Sequence, residues 1–220
     1  MLRNIKRLTA SGIALLSIVV LVLLAPFFDS SFSLHMLFHV ILMFVLAPAL
    51  LLGQFFLWAL PKSYKLKLMQ ALNKVKPILS FLTYPLIAII LSTGVLWLGH
   101  IPLFYDASLQ NEPLHVDIHI SFLIVYLFYW SSLINSPLQL PQLTTNESKT
   151  LYIAIGAMQG MILSALIMFS NQVIYPFYLG VSHLGGFSAL ADQQLGGGIM
   201  LLAGSIAYIL AAILSLKNDY

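Results

Sequence analysis

The sequence has no cysteine among its 220 residues. Disulfides, iron–sulfur clusters and thiolate metal ligands are therefore excluded, and any metal must be held by His, Met, carboxylate or backbone groups. Charge is scarce as well: 8% of the residues are charged, against roughly 25% in a soluble domain. With 60% hydrophobic residues and a mean hydropathy of +0.95, the chain lacks the polar surface needed to stay in water. It reads as an integral membrane protein. The net charge of +3 does not point to nucleic acid, because the basic residues fall in short blocks between apolar runs. That is the pattern of cytoplasmic loops.

Crossing the hydrocarbon core takes about 20 apolar residues. Six stretches qualify, at about 10–28, 34–60, 77–99, 114–135, 150–170 and 195–216. They predict an all-α bundle in one transmembrane domain spanning residues 1–220, with Pro48 as a kink in the long second span. Runs such as IALLSIVVLVLLAPFF exclude the alternating short strands of a β-barrel. Arg3, Lys6 and Arg7 before the first span resemble a signal-peptide n-region. No small-x-small site follows, so the span is read as retained.

Six spans place all ten Lys and Arg residues on one side: Arg3, Lys6 and Arg7, the block Lys62 to Lys76, Lys149 and Lys217. By the positive-inside rule that side is the cytoplasm, and it also holds both termini. The basic block supplies this signal together with attraction to anionic lipid. All six histidines then fall on the outer side: His35 and His39 opening span two, His100 ending span three, His115 and His119 opening span four, and His183 between five and six. Asp29, Asp106, Glu112, Asp117 and Asp192 lie with them, while Glu147 and Asp219 lie on the cytoplasmic side.

His35/His39 and His115/His119 are each spaced i, i+4, so each pair shares one helix face about 6 Å apart along the axis. Two such helices face to face would offer four imidazoles to one site. Ionisable groups about a turn inside a membrane usually face the bundle interior and serve a purpose. Imidazole suits Cu, Zn, Fe and Ni, and thioether from Met36 or Met43 would favour Cu(I). Asp117, two residues from each histidine, points to another side of its helix. It fits an outer-shell role or a contact with His100.

Other features have structural readings. Met158, Met161 and Met168 read as core packing. FLIVYLFYW in span four reads as helix packing with interface anchoring. Gly196, Met200 and Gly204 form a small-residue face for close helix approach. Asp192 and the two glutamines after it read as a helix cap bordering the outer site.

Three stretches in order, HMLFHVILMFVLAPALLLG, GHIPLFYDASLQNEPLHVDIHISFL and DQQLGGGIM, resemble the multi-span CtaG family of cytochrome c oxidase assembly factors, found with bacterial caa-type haem–copper oxidases. The resemblance implies maturation of the oxidase copper centre on the outer side of the cell membrane. Separately, no nucleophile–base set or known metallohydrolase motif appears, so no enzymatic activity is expected. The resemblance matches the paired histidines to His35, His39, His115 and His119. It also matches an H-x-P-x-x-Y-D-A segment to His100, Pro102, Tyr105 and Asp106, and a late D-Q-Q to Asp192, Gln193 and Gln194. Ile118 stands where the family commonly has an acid, and Leu201 where it often has Trp.

The resulting expectation is a copper site, as Cu(I), with His35, His39, His115, His119 and His100 as candidate ligands. Met36, Asp106, Asp117, Asp192 and Gln193 would border it. Oxidase subunits or a copper chaperone are the expected partners. The alternatives are a haem held by the same histidines and a metal-free scaffold.

Overall fold

A computed structural model describes residues 2–54, 60–134, 138–181 and 186–216. Among these residues the chain is built of helices and has no strand. Among the described residues five helices are long and apolar enough to cross a membrane, or six if a bent helix pair counts as one span. The all-α bundle expected is thus observed, with five or six helices of spanning length.

Span one is α1 (Leu2–Leu24), followed by a 3₁₀ turn, Ala25–Ser30. It packs on the end of span two through buried Ala10, Ser11 and Ala14. Gly53 permits that approach, since a Cβ there would lie 2.6 Å from Ser11 Oγ.

Span two is the central element, with 61% of its apolar stretch buried against 28–33% for the other four long helices. It runs through α2 (Phe32–Ile41), a π-helical turn (Leu42–Leu46) and α3 (Ala47–Gly53). The turn arises from Pro48, which lacks the N–H that a helix would use at that position. In the widened register Ala47 N–H bonds Leu42 O, so Met43 O is the carbonyl that Pro48 cannot serve. Trp130 Nε1 donates to it instead, at 2.9 Å. Pro48 is thus absorbed by a π-bulge rather than expressed as a simple kink. This helix stops at Gly53, with Gln54 left-handed at φ 48°; residues 55–59 of the expected span lie outside the described residues.

α4 (Lys62–Lys74) carries the basic block and has no buried residue. Span three is broken: α5 (Lys76–Leu82) and α6 (Pro85–Gly99) meet at 68°. Pro85 pushes Tyr84 out of helical geometry, to ψ 129°, which forces the break. A short helix, α7 (Pro102–Leu109), then leads to span four, α8 (Glu112–Ser131). Spans five and six are α9 (Asn146–Met168) and α10 (Ala189–Leu216), with a 3₁₀ turn, Pro176–Gly180, in the connection.

α10 packs along α9 and α2, and α6 along α8. Of the expected face of Gly196, Met200 and Gly204, only Gly196 is at a close helix approach. A Cβ on Gly204 would be in ordinary contact with Phe44 at 3.7 Å, and the other close approach is at Gly197, off that face. A Cβ on Gly196 would strike the Phe32 ring at 2.5 Å, and one on Gly197 would meet Met168 N at 2.6 Å. Met158 and Met161 are exposed on the outside of α9, so they are not core residues. Phe122, Tyr126, Tyr129 and Trp130 are all buried, which makes the aromatic run of span four a packing element.

Candidate metal centre

Spans two and four are neighbours, and His35, His39 and His119 offer ring nitrogens that all lie within 4.8 Å of one another, with His115 standing against this trio through His35. His119 Nε2 lies 3.0 Å from His39 Nε2 and 3.1 Å from His35 Nε2, and His115 Nε2 lies 3.2 Å from His35 Nε2. His35, His39 and His119 are buried, while His115 is half-buried at the mouth. Nitrogens bound about 2.0 Å from one tetrahedral ion stand about 3.3 Å apart, close to this spacing. The helices are placed for this because both enter from the same end of the bundle, so each i, i+4 pair advances in step.

The helix holding His35 is fixed from outside itself. Asp192, buried, accepts from Phe32 N at 2.7 Å and Ser33 N at 3.3 Å, and from the hydroxyls of Ser31 and Ser33. A carboxylate there satisfies orphan donors and faces the positive end of the α2 dipole. Asp192 therefore caps α2, not its own helix, which starts at Ala189 rather than 195. Gln193 accepts from Ile174 N at 2.6 Å and donates to Gln172 O, and Gln194 donates to Ser170 O. The DQQ triad is a clamp joining α10 to α2 and to the segment before Tyr175.

Two tyrosines to which the sequence reading gave no role at the site stand behind His35: Tyr105 of α7 and Tyr178 of the 3₁₀ turn. Tyr105 OH lies 2.7 Å from His35 Nδ1, and Tyr178 OH lies 3.1 Å from Tyr105 OH. Burial holds the Tyr105 phenol well above its ordinary range, so it stays neutral. Its oxygen can accept a hydrogen bond from Nδ1–H and leave Nε2 free to ligate, the usual support of a metal-bound imidazole. Tyr175 donates to His100 O at 3.1 Å and stacks on Phe32. The only local signal was a tyrosine in the H-x-P-x-x-Y-D-A segment. Nothing nearby in sequence marked Tyr178.

The remaining candidates fall differently. His100 is buried beside His39, with ring centroids 5.8 Å apart. Its Nδ1 lies 2.7 Å from Leu96 O. Asp106 accepts from Phe177 N at 3.3 Å, tying α7 to the 3₁₀ turn that carries Tyr178. Burial raises its pKa, opposed by that N–H. Met36 is packed against Gly196 of α10, on a face turned from the imidazoles because it is one residue out of their register. Asp117 is exposed and does not border the cluster, since its position on α8 faces outward. His183 lies outside the described residues.

The family model for the cytochrome c oxidase caa3 assembly factors, Caa3_CtaG, matches residues 8–218. No curated protein and no solved structure matches. With nearly the whole length covered, the chain belongs to the Caa3_CtaG family of cytochrome c oxidase caa3 assembly factors.

Proposed function

We propose that this assembly factor handles copper without catalysing a reaction. It holds Cu(I) on the Nε2 atoms of His35, His39, His115 and His119 and releases it to an oxidase subunit or a copper chaperone. The observation that carries this reading is a run of ring nitrogens, His115 to His35 to His119 to His39, at 3.0–3.2 Å contacts in a largely buried site, with those of His35, His39 and His119 all within 4.8 Å of one another. Bare lone pairs at that distance repel unless a proton or a cation sits between them. All-imidazole donors suit copper among several metals. Copper is preferred because the chain belongs to a family of cytochrome c oxidase assembly factors, and the rings of Phe38 and Phe122 beside the site disfavour a hydrated divalent ion. A haem between two of these imidazoles would require an open slot, which contacts of this length do not leave.

The site belongs on the extracytoplasmic face of the cell membrane. The basic helix α4 and Lys149 join the span ends remote from the histidines, and the positive-inside rule puts those ends in the cytoplasm. The test is to make caa3-type oxidase in cells carrying either the wild-type chain or a variant with Ala at all four histidines. Oxidase with intact haem but depleted copper in the variant cells supports copper handling. Fully metallated oxidase in those cells rules it out.

A further inference from the structure

The environment of His100 dictates its tautomer. Its Nδ1 lies 2.7 Å from Leu96 O, and a carbonyl only accepts, so Nδ1 carries the proton. Nε2 is then a bare lone pair, and it is buried with no hydrogen-bond partner. The neighbouring His39 has a matching atom. Its Nδ1 is also buried and without a partner, while its Nε2 lies 3.0 Å from His119 Nε2. When His39 carries its proton on Nε2 and donates it to His119, Nδ1 becomes a second bare lone pair.

Unsatisfied buried polar atoms are rare and call for a reason. Here two occur on adjacent rings set nearly perpendicular, with centroids 5.8 Å apart. Two imidazoles on opposite sides of one ion, each about 2 Å from it, place their centroids about 6 Å apart. Phe122, fully buried, packs on both rings. An apolar wall disfavours a hydrated divalent ion and suits a soft monovalent one. The backbone bond at His100 Nδ1 is itself the outer support that ligating histidines use.

We propose that His39 Nδ1 and His100 Nε2 form a second, two-coordinate position for Cu(I), and the proposal rests on the copper reading of the four-imidazole cluster. The two positions exclude one another because His39 serves both. In the cluster its Nε2 binds the ion and its Nδ1 carries the proton. At the second position Nδ1 binds the ion and Nε2 carries a proton donated to His119. Transfer breaks the bonds to the four Nε2 atoms and forms two to His39 and His100. One proton leaves Nδ1, one is taken up at Nε2, and the copper stays Cu(I). The pair gives the ion a lower-coordinate state on its way out.

The test loads detergent-purified chains with Cu(I) under reducing conditions and counts copper per chain and nitrogens per copper by X-ray absorption. The wild type is expected to hold one copper. A His35→Gln, His115→Gln, His119→Gln variant is expected to keep about one, bound by two nitrogens, and to lose it when His100→Phe is added. Copper in the wild type but none in the triple variant overturns the second position and leaves the cluster standing. Equal copper with and without His100→Phe in the triple variant also overturns it. No copper in the wild type defeats both readings. Should the triple variant not fold, the single His100→Phe chain decides: release of Cu(I) to a chelator should slow about tenfold, and release at the wild-type rate overturns the proposal.

Discussion

His39 and His119 stand 80 residues apart in the chain, yet their Nε2 atoms lie 3.0 Å apart in the bundle. Two reversals of direction separate spans two and four, so α2 and α8 run parallel from the same end. A four-residue step advances each helix by about 6 Å. His35 and His115 therefore meet at the mouth, and His39 and His119 meet one turn further in.

The Asp192 clamp should matter more for stability than any single ligand. Asp192→Ala leaves Phe32 N, Ser33 N and two hydroxyls without their acceptor. A loss of about 3 kcal/mol is expected from thermal unfolding in detergent, with Ser33→Ala costing about 1 kcal/mol. Copper affinity should fall with Asp192→Ala, because His35 sits in the first turn of the helix that Asp192 caps.

The π-bulge makes a coupled prediction. Trp130→Phe strips Met43 O of its donor and should cost about 2 kcal/mol. Pro48→Ala restores a backbone N–H that can reach that carbonyl. The double variant should then be less destabilised than the sum of the singles, by about 1 kcal/mol in a double-mutant cycle. Additive losses would mean the indole and the proline are independent.

Gly197 and Gly160 should respond in opposite ways to alanine. A Cβ at Gly197 meets backbone of α9 at 2.6 Å, whereas one at Gly160 meets nothing within 4 Å. Gly197→Ala should destabilise by about 2 kcal/mol. Gly160→Ala should be neutral or stabilising by up to about 1 kcal/mol. Unfolding midpoints of the two variants check this directly.

Asp106 gives a pH signature outside the membrane. Its pKa is raised in the folded state by burial, so folding favours the protonated carboxyl. Its contribution is fully present below the ordinary carboxylate pKa of about 3.8 and is lost as pH rises through the raised folded value. Asp106→Asn keeps an acceptor for Phe177 N but cannot ionise. The fall in stability over that window should be present in the wild type and absent in the variant.

Several of these features were legible in the sequence because they follow from helix periodicity. The i, i+4 histidine pairs and the close approach at Gly196 of span six both come from local spacing. What was not legible depends on which helices touch. Asp192 reads locally as a cap for its own helix, and only the packing of α10 on α2 turns it into a cap for another. Tyr178 reaches His35 through a loop whose path the sequence does not encode by any period. The break before Pro85 and the bulge before Pro48 involve the same residue type. Whether proline snaps a helix or widens it depends on a neighbour such as Trp130 being at hand. Asp117 shows the converse: its two-residue offset from the histidines already pointed it to another side, and the fold leaves that side exposed.

Copper per chain tests the central claim most directly. The detergent-purified protein, loaded with Cu(I) and desalted, should retain about one copper per chain if one shared site exists. A variant with Ala at His35, His39, His115 and His119, folded by its helical signal, should retain almost none. Equal and low copper in both chains would contradict the account and leave the four histidines to a role in packing alone.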